Sequence, residues 1–305
     1  MRLSCAFFLL TPVLLAPLAT NAANLQIDHV TVAGSNLDAL RAHLASIGIQ
    51  TEFGGPHNNH ATQMALTSFA DGSYLELIAA QTHPDAAALS KHYWAKPIQT
   101  NAGPCAFAVR ATDIAGEGTR LRSAGVTVSD PTRSGRDRPD GVHLEWESAP
   151  VGSEPNGTFF PFLIHDITPR DSRAMPSARP TNTNFTGIHR VVINVRDLNA
   201  AIARYQKAYG LPAPIQQTDA TFGARLAWFE GTPIILAQAL NKTSWLTERL
   251  ANIGEGPCAF IIGLPGGSRG GAKGQSKSAA TKWFGHNVSW FDDAKLGWRL
   301  GMEGI

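Results

Sequence analysis

The sequence predicts an α+β fold built from tandem strand–helix–three-strand units, and three observations carry that prediction. The pentapeptide GPCAF occurs twice, at 103–107 and 256–260, an offset of 153. HVTVAGSNLDAL (29–40) resembles RVVINVRDLNAA (190–201) at an offset of 161, and ADGSYLELIAA (70–80) resembles FEGTPIILAQA (229–239) at 159. Self-similarity over half a chain signals internal duplication, and a shrinking offset is what small loop deletions produce. Within each half, the hydrophobic period also switches between strand-like and helical spacing.

The elements follow in order. Residues 26–33 alternate as a strand, and Leu37, Leu40, Leu44 and Ile47 then take helical spacing until Gly48 closes the helix. Extended stretches follow at 49–53, 62–69 and 73–80. The second unit has a strand at 104–110, a helix at 113–124 ended by Gly125, and strands near 126–129, 142–148 and 159–165. The third has a strand at 188–195, a helix at 198–209 ended by Gly210, and strands near 213–217, 223–229 and 232–239. A fourth opens with a strand at 257–263 and then departs from the pattern. PGGSRGGAKGQSKSAATK (265–282) reads as a flexible loop, and strands resume at 283–291 and 296–303.

Ahead of these units, MRLSCAFFLLTPVLLAPLATNA has a basic start at Arg2, an apolar run to Leu18 and small residues at Thr20, Ala22 and Ala23. That is the pattern of a secretory signal peptide, and Pro12 and Pro17 argue against a spanning helix. The expected organisation is a signal peptide at 1–23, a first domain at 24–170, a linker at 171–186 and a second, degenerate domain at 187–305. The expected location is periplasmic or secreted.

With 26 basic and 24 acidic side chains the formal net charge is +2, so the basic stripe of a nucleic-acid binder is missing. Hydrophobic residues at 43% suit a packed globule rather than a disordered chain. Cys105 and Cys258, matched within the repeat, read as small buried strand residues before a redox pair. No GxSxG elbow, P-loop, GxGxxG or HExxH motif is present. Asn156, Asn184, Asn241 and Asn287 stand in glycosylation sequons, which matter only in a eukaryotic secretory host.

IDHVTVAGSNLDAL (27–40), GGPHNNHATQMAL (54–66), DGSYLELIA (71–79), GRDRPDGVHLEW (135–146), PFLIHD (161–166) and IHRVVINVRDL (188–198) together resemble the vicinal oxygen chelate superfamily. They are especially similar to its glyoxalase-like domain family. The resemblance covers most of 25–263 and implies paired βαβββ units whose sheets curl into open half-barrels around a pocket. It further implies a metal ligand at the start of the first strand and another on the last strand of the unit, positions held here by His29 and Glu76. Imidazole and carboxylate suit a divalent ion such as Zn, Fe, Mn or Ni. Period-two alternation puts Glu76 on a face with Tyr74 and Ile78, and His29 with Thr31 and Ala33.

His57 and His60 lie on a loop resembling the family's G-G-x-H loop, where an imidazole can ligate metal or move a proton. His165 would stand opposite Glu76 if the units pair. Arg136 and Arg138 occupy the family's R-x-R-P-D-G segment, where guanidinium groups would bind substrate carboxylate or enolate oxygens. Each also has a plain alternative as a solvated or buried structural residue, and for His143 pocket and surface are equally open. In the second half, Arg190 stands where His29 does and Ile235 where Glu76 does, so neither ligand position survives.

Two functions remain. One is a metal-dependent lyase, isomerase or dioxygenase chelating adjacent oxygens of a small substrate. The other is a metal-free module that binds or sequesters small molecules. Either has a small-molecule partner, no nucleic acid and no membrane once the leader is removed, with a homodimer left open.

Overall fold

The computed structural model describes residues 25–266, 280–291 and 298–304. The expected signal peptide and most of the 265–282 segment lie outside the described residues. Two eight-stranded sheets form, each from two consecutive units. The first contains β1 (Ile27–Ala33), β2 (Glu52–Pro56), β3 (Thr62–Ser68), β4 (Tyr74–Ala80), β5 (Gly103–Arg110), β6 (Thr132–Asp137), β7 (His143–Ala149) and β8 (Phe162–Asp166), ordered β2-β3-β4-β1-β5-β8-β7-β6. The second contains β9 (Ile188–Asn194), β10 (Ile215–Asp219), β11 (Ala224–Trp228), β12 (Ile234–Ala239), β13 (Gly256–Leu264), β14 (Thr281–Trp283), β15 (His286–Trp290) and β16 (Arg299–Gly304), in the corresponding order β10-β11-β12-β9-β13-β16-β15-β14. The curled, paired-unit architecture expected from the sequence is therefore present in both halves; the fourth unit keeps all its strands, and most of the segment between its first two lies outside the described residues.

Helices follow the first strand of each of the first three units for local reasons. Asn36, Asp113 and Asp197 are extended or near-extended N-caps whose side chains accept from the third residue onward, starting α1 (Leu37–Ser46), α4 (Ile114–Ser123) and α6 (Leu198–Tyr209). Two short helices in the loop after β4, α2 (Ala86–Ser90) and α3 (Ala95–Gln99), have no counterpart in the sequence reading, and α5 (Arg170–Ala174) follows β8. The helix α7 (Trp245–Asn252) precedes β13. No described helix is long and apolar enough to cross a membrane.

Two strand expectations shift. The strand near 126–129 forms at 132–137 instead, leaving only a bridge between Val128 and Val151. The β-branched pair Val126 and Val128 favours extension, but the polar 132–137 segment takes the sheet edge, where Arg133 and Asp137 remain in water while Arg136 turns inward. The stretch 283–291 is divided by a turn at Phe284 and Gly285, both with positive φ, into parts of two paired strands.

The convex faces of both sheets and their helices share one apolar core, joining Val30, Leu75 and Phe107 of the first half with Val191, Leu236 and Phe260 of the second. The guanidinium of Arg249 on α7 donates to the carbonyls of Ala102, Pro104 and Pro257, clasping the two GPCAF copies. Gly103 has positive φ and lies under the Trp298 ring, where a Cβ would come within 2.4 Å of Trp298 Cδ1. Cys105 and Cys258 are both buried free thiols.

The two concave faces differ. In the second sheet this face is filled by Phe222, Trp228, Trp283 and Trp290 among aliphatic residues. Trp283 is 1% exposed, donates its indole N–H to Asp219 Oδ2 at 2.6 Å and meets Phe222 edge-on with centroids 4.9 Å apart. Replacing Trp283 with Ala should lower the unfolding free energy by about 3–5 kcal/mol, read from chemical denaturation, because it empties the centre of this plug.

Candidate functional site

The first half-barrel keeps an open concave face. Its sheet curls until its two edges meet, with a bridge between His57, just past β2, and Arg136 on β6. Gly55 permits the closure: its φ is +104° and a Cβ would sit 2.4 Å from the Asp137 carbonyl oxygen. A cavity of about 370 Å³ results, lined among others by His29, His57, Tyr74, Glu76, Arg136 and Trp146.

Strand register places the chemistry. On parallel β1 and β4, Thr31 faces Glu76 and His29 faces Tyr74, so alternate residues of both strands point inward as expected. The β1–β5 pairing is irregular between Ile27 and His29, so a bulge falls at Asp28. There the Asp28 carboxylate bonds His29 Nδ1 at 2.6 Å. Arg173 donates to both Asp28 oxygens, at 3.1 and 2.8 Å, and Arg170 donates to Oδ2. Burial would raise the Asp28 carboxyl, but Arg173, the His29 ring and Arg170 outweigh it and hold it well below the usual range. An ionised Asp28 can only accept, so Nδ1 carries the proton and, in the neutral ring, Nε2 presents its lone pair to the cavity. Tyr74 stacks on the ring at 4.8 Å and Phe162 meets it edge-on at 5.4 Å. Arg173 Nη1 also donates to the Tyr74 hydroxyl at 2.6 Å.

Glu76 stands between two imidazoles. His29 Nε2 is 3.6 Å from its Oε2, and His57 Nε2 is 3.5 Å from its Oε1. Thr31 Oγ1 donates to Oε2 at 2.9 Å. His57 Nδ1 is engaged by Thr62 Oγ1 at 2.8 Å. Burial, reinforced by Arg136, His92 and His29 against the pull of Glu76, lowers the His57 pKa to about 4, so its ring is neutral at neutral pH.

Arg136 is 2% exposed, yet its guanidinium reaches only the carbonyls of Gly54 and Arg173. Among the described residues no carboxylate pairs with it, and burial lowers its pKa to about 10. A buried guanidinium without an anionic partner makes the cavity a place for an acid.

Four of the residues singled out from sequence, His29, Glu76, His57 and Arg136, thus meet in one cavity. Three do not. His60 has a positive φ of 56°, which turns the loop so that its side chain is exposed. Arg138 lies beyond the end of β6 and spends its guanidinium on Asp140 and the carbonyls of Ser172 and Pro176. His165 alternates with the cavity-lining Phe162 and Ile164, so it faces the other way and bonds the Ala111 carbonyl at 2.9 Å. His143 is also outside, paired with Asp137 at 2.6 Å. The sequence reading missed His92, Trp94, Asn156 and Arg173, which line the cavity from loops and α5. Arg173 lies within the segment expected to be a linker.

The second unit contributes no second His–Glu pair of metal ligands. Aligning the caps Asn36 and Asp113 puts Ala106 at the position of His29, and the pairing of Ala108 with Phe162 puts Phe162 at that of Glu76. In the second half, Arg190 pairs with Glu303 and lies over Trp228 at 4.1 Å, and Ile235 faces Val192 as Glu76 faces Thr31. Among the described residues, no three or more His, Cys, Asp and Glu side chains form a group that could hold a metal as they stand.

Because the folded His57 titrates below the ordinary 6.5, the native state binds fewer protons than the unfolded chain between those values. Stability should therefore fall as pH drops from about 6.5 to about 4, by on the order of 3 kcal/mol. Denaturant melts across that range should show a flatter dependence for His57→Gln.

A family model described as a glyoxalase-like domain matches residues 27–211, well over half of the chain. No curated protein matches. Among solved structures, a hypothetical protein from Staphylococcus aureus superposes with a TM-score of 0.63 at 14% identity, covering 92% of this chain and 99% of that one. A mutant of 4-hydroxymandelate synthase from Streptomyces coelicolor superposes with 0.58 at 13% identity, covering 92% and 91%. Methylmalonyl-CoA epimerase from Mycobacterium tuberculosis matches 40% of this chain and 89% of its own, at 19% identity and a TM-score of 0.35. At these identities the first two likenesses show the fold alone. The chain belongs to the glyoxalase-like domain family.

Proposed function

We propose that the chain is a divalent-metal-dependent enzyme that moves a proton on a small oxygenated carboxylic acid, as a lyase or isomerase does. One observation carries this reading: His29 and His57 flank the Glu76 carboxylate beside Arg136, a buried cation with no carboxylate partner. His29 Nδ1 donates to Asp28, so a neutral ring turns a lone pair toward a carboxylate oxygen 3.6 Å away. Two opposed acceptors at that distance suit a cation between them, and the nitrogen–oxygen donor pair suits Zn, Fe, Mn or Ni. His29 and Glu76 would hold the ion, with substrate oxygens and water completing its shell.

Such an ion supplies Lewis acidity to adjacent substrate oxygens and so favours enolate-like charge. Arg136 pairs with the substrate carboxylate and fixes its orientation. His57, neutral at neutral pH, accepts the proton at Nε2. Trp94, Trp146 and Phe162 wall the cavity and limit water around that transfer. The metal-free binding module stays as a second reading, favoured by Ala106 and Phe162 standing where a second pair of donors would be.

Elemental analysis of the purified protein after reconstitution tests the two. Wild type should hold near one equivalent of metal, and Glu76→Ala should lose it. Arg136→Gln should keep the metal but weaken acid binding by roughly 10- to 100-fold, as loss of a charge-assisted bond does. Wild type without stoichiometric metal would leave the binding module as the better reading.

The leader supports export to the periplasm or medium. N-terminal sequencing of the exported protein should start close to Ala23 or Asn24; an intact Met1 in that fraction would refute cleavage.

A further inference from the structure

Between β4 and β5 the chain leaves the sheet and carries one more histidine to the cavity, His92, which the reading above does not use. The excursion is latched at both ends. At its start Gln81 Nε2 donates to the carbonyls of His57 and Thr62, at 3.0 and 2.9 Å. The Asp85 N–H donates to the His60 carbonyl at 2.8 Å, and the Asp85 carboxylate caps α2 by accepting from Ala87 and Ala88. Farther along, the Trp94 indole N–H donates to the Asn156 carbonyl of the second unit at 2.9 Å. The segment thus runs from the loop bearing His57 to the opposite unit of the sheet.

His92 stands between these latches, half-buried, with its ring against the cavity. Its own N–H donates to the Leu89 carbonyl at 3.2 Å and its carbonyl accepts from Ala95 at 3.0 Å, so the turn joining α2 to α3 is closed on both sides. The ring Nδ1 accepts the Trp94 backbone N–H at 3.2 Å. A backbone amide can only donate, so Nδ1 holds the lone pair and the ring proton is on Nε2. His29 has the reverse tautomer. Burial also lowers the His92 pKa against an upward pull from Glu76, so the ring is neutral at neutral pH. Among the described residues, Nε2 has no hydrogen-bond partner.

When His57 Nε2 takes a proton from carbon, the C–H electron pair moves into the neighbouring carbonyl, whose oxygen gains negative charge. Arg136 is occupied by the substrate carboxylate, so that oxygen has use for a donor of its own. We propose that His92 is a catalytic hydrogen-bond donor, its Nε2–H directed at the substrate oxygen on which charge develops. The proton stays on nitrogen and the bond strengthens as the charge grows, which a neutral imidazole held in one tautomer can supply. This role rests on the proton-transfer reading of the site, and the test below separates the two.

Two substitutions divide the ring's two nitrogens. His92→Asn keeps an oxygen near Nδ1 to accept the Trp94 N–H and has nothing at Nε2. His92→Gln puts an amide N–H near Nε2 and gives up the acceptor. Oxalate, whose adjacent charged oxygens imitate an enolate, and acetate, which has the carboxylate alone, are titrated by calorimetry into zinc-reconstituted protein. His92→Asn should weaken oxalate binding about tenfold or more while binding acetate as wild type does, and His92→Gln should recover most of that loss. In wild type labelled with nitrogen-15 histidine, the Nε2–H resonance missing from His92→Gln should move downfield when oxalate is added. That second measurement stands even where a variant fails to fold. Oxalate binding unchanged in His92→Asn, equal weakening of both acids, or an unmoved Nε2–H resonance overturns the role of His92. Wild-type behaviour of His92→Asn beside a weakened His92→Gln assigns His92 to the turn alone and also overturns it. Loss of zinc from His92→Asn would make His92 a ligand and do the same. In each of these cases weaker binding of both acids by Arg136→Gln leaves the proton-transfer reading standing. Zinc-loaded wild type that binds no oxalate sinks that reading and the role of His92 with it.

Discussion

Asp28 carries a negative charge where water is excluded, and the groups that keep it charged also assemble the site. A lone buried carboxylate would take up a proton. Arg173 and Arg170 prevent this, and both come from α5, at the end of the second unit. The ion pairs therefore join the first strand of the sheet to the segment that leaves its last strand. The same carboxylate fixes the tautomer of His29, and Arg173 reaches on to Tyr74, the ring stacked against that histidine. Structural and chemical demands fall on the same few atoms. Glu76 and His57 are arranged around a histidine already fixed in place.

The two halves answer one folding problem in two ways. A curled sheet of this kind has a concave face that must be either filled or used. The second half fills it with Phe222, Trp228, Trp283 and Trp290 among aliphatic residues, with the Trp283 indole N–H satisfied by Asp219. The first half leaves it open and lines it with ionisable groups, each held by a specific partner. Buried polar groups need such partners, which explains the dense network of Asp28, Arg170, Arg173 and Asp166 beneath the cavity. At the position of His29 the second half carries Arg190, which pairs with Glu303 over the Trp228 ring.

Much of this was legible in the sequence because it is periodic. Strand alternation placed His29 and Glu76 on one face, helix spacing found α1, α4 and α6, and the repeat set Ile235 against Glu76. The failures are equally physical. His165 was weighed by its place in the fold pattern, although its neighbours Phe162 and Ile164 own the inward face. Arg138 shares a parity with Arg136, but β6 ends between them and alternation stops with the strand. His60 was undone by a positive φ at a residue that is not glycine. Asn156, His92, Trp94 and Arg173 lie on turns and short helices, where no period links neighbours in sequence to neighbours in space. The strand at 132–137 hid because edge strands tolerate charge.

The Trp298 ring over Gly103 makes the two halves unequal in time. Nearly two hundred residues separate these contacting groups. The first half can pair its strands early, since each unit is contiguous in sequence. One flank of β5 nevertheless stays bare until the segment bearing Trp298 is in place, so the cavity-bearing half gains its full packing only through a contact of long sequence separation. The second half thus acts as a closing piece for the first.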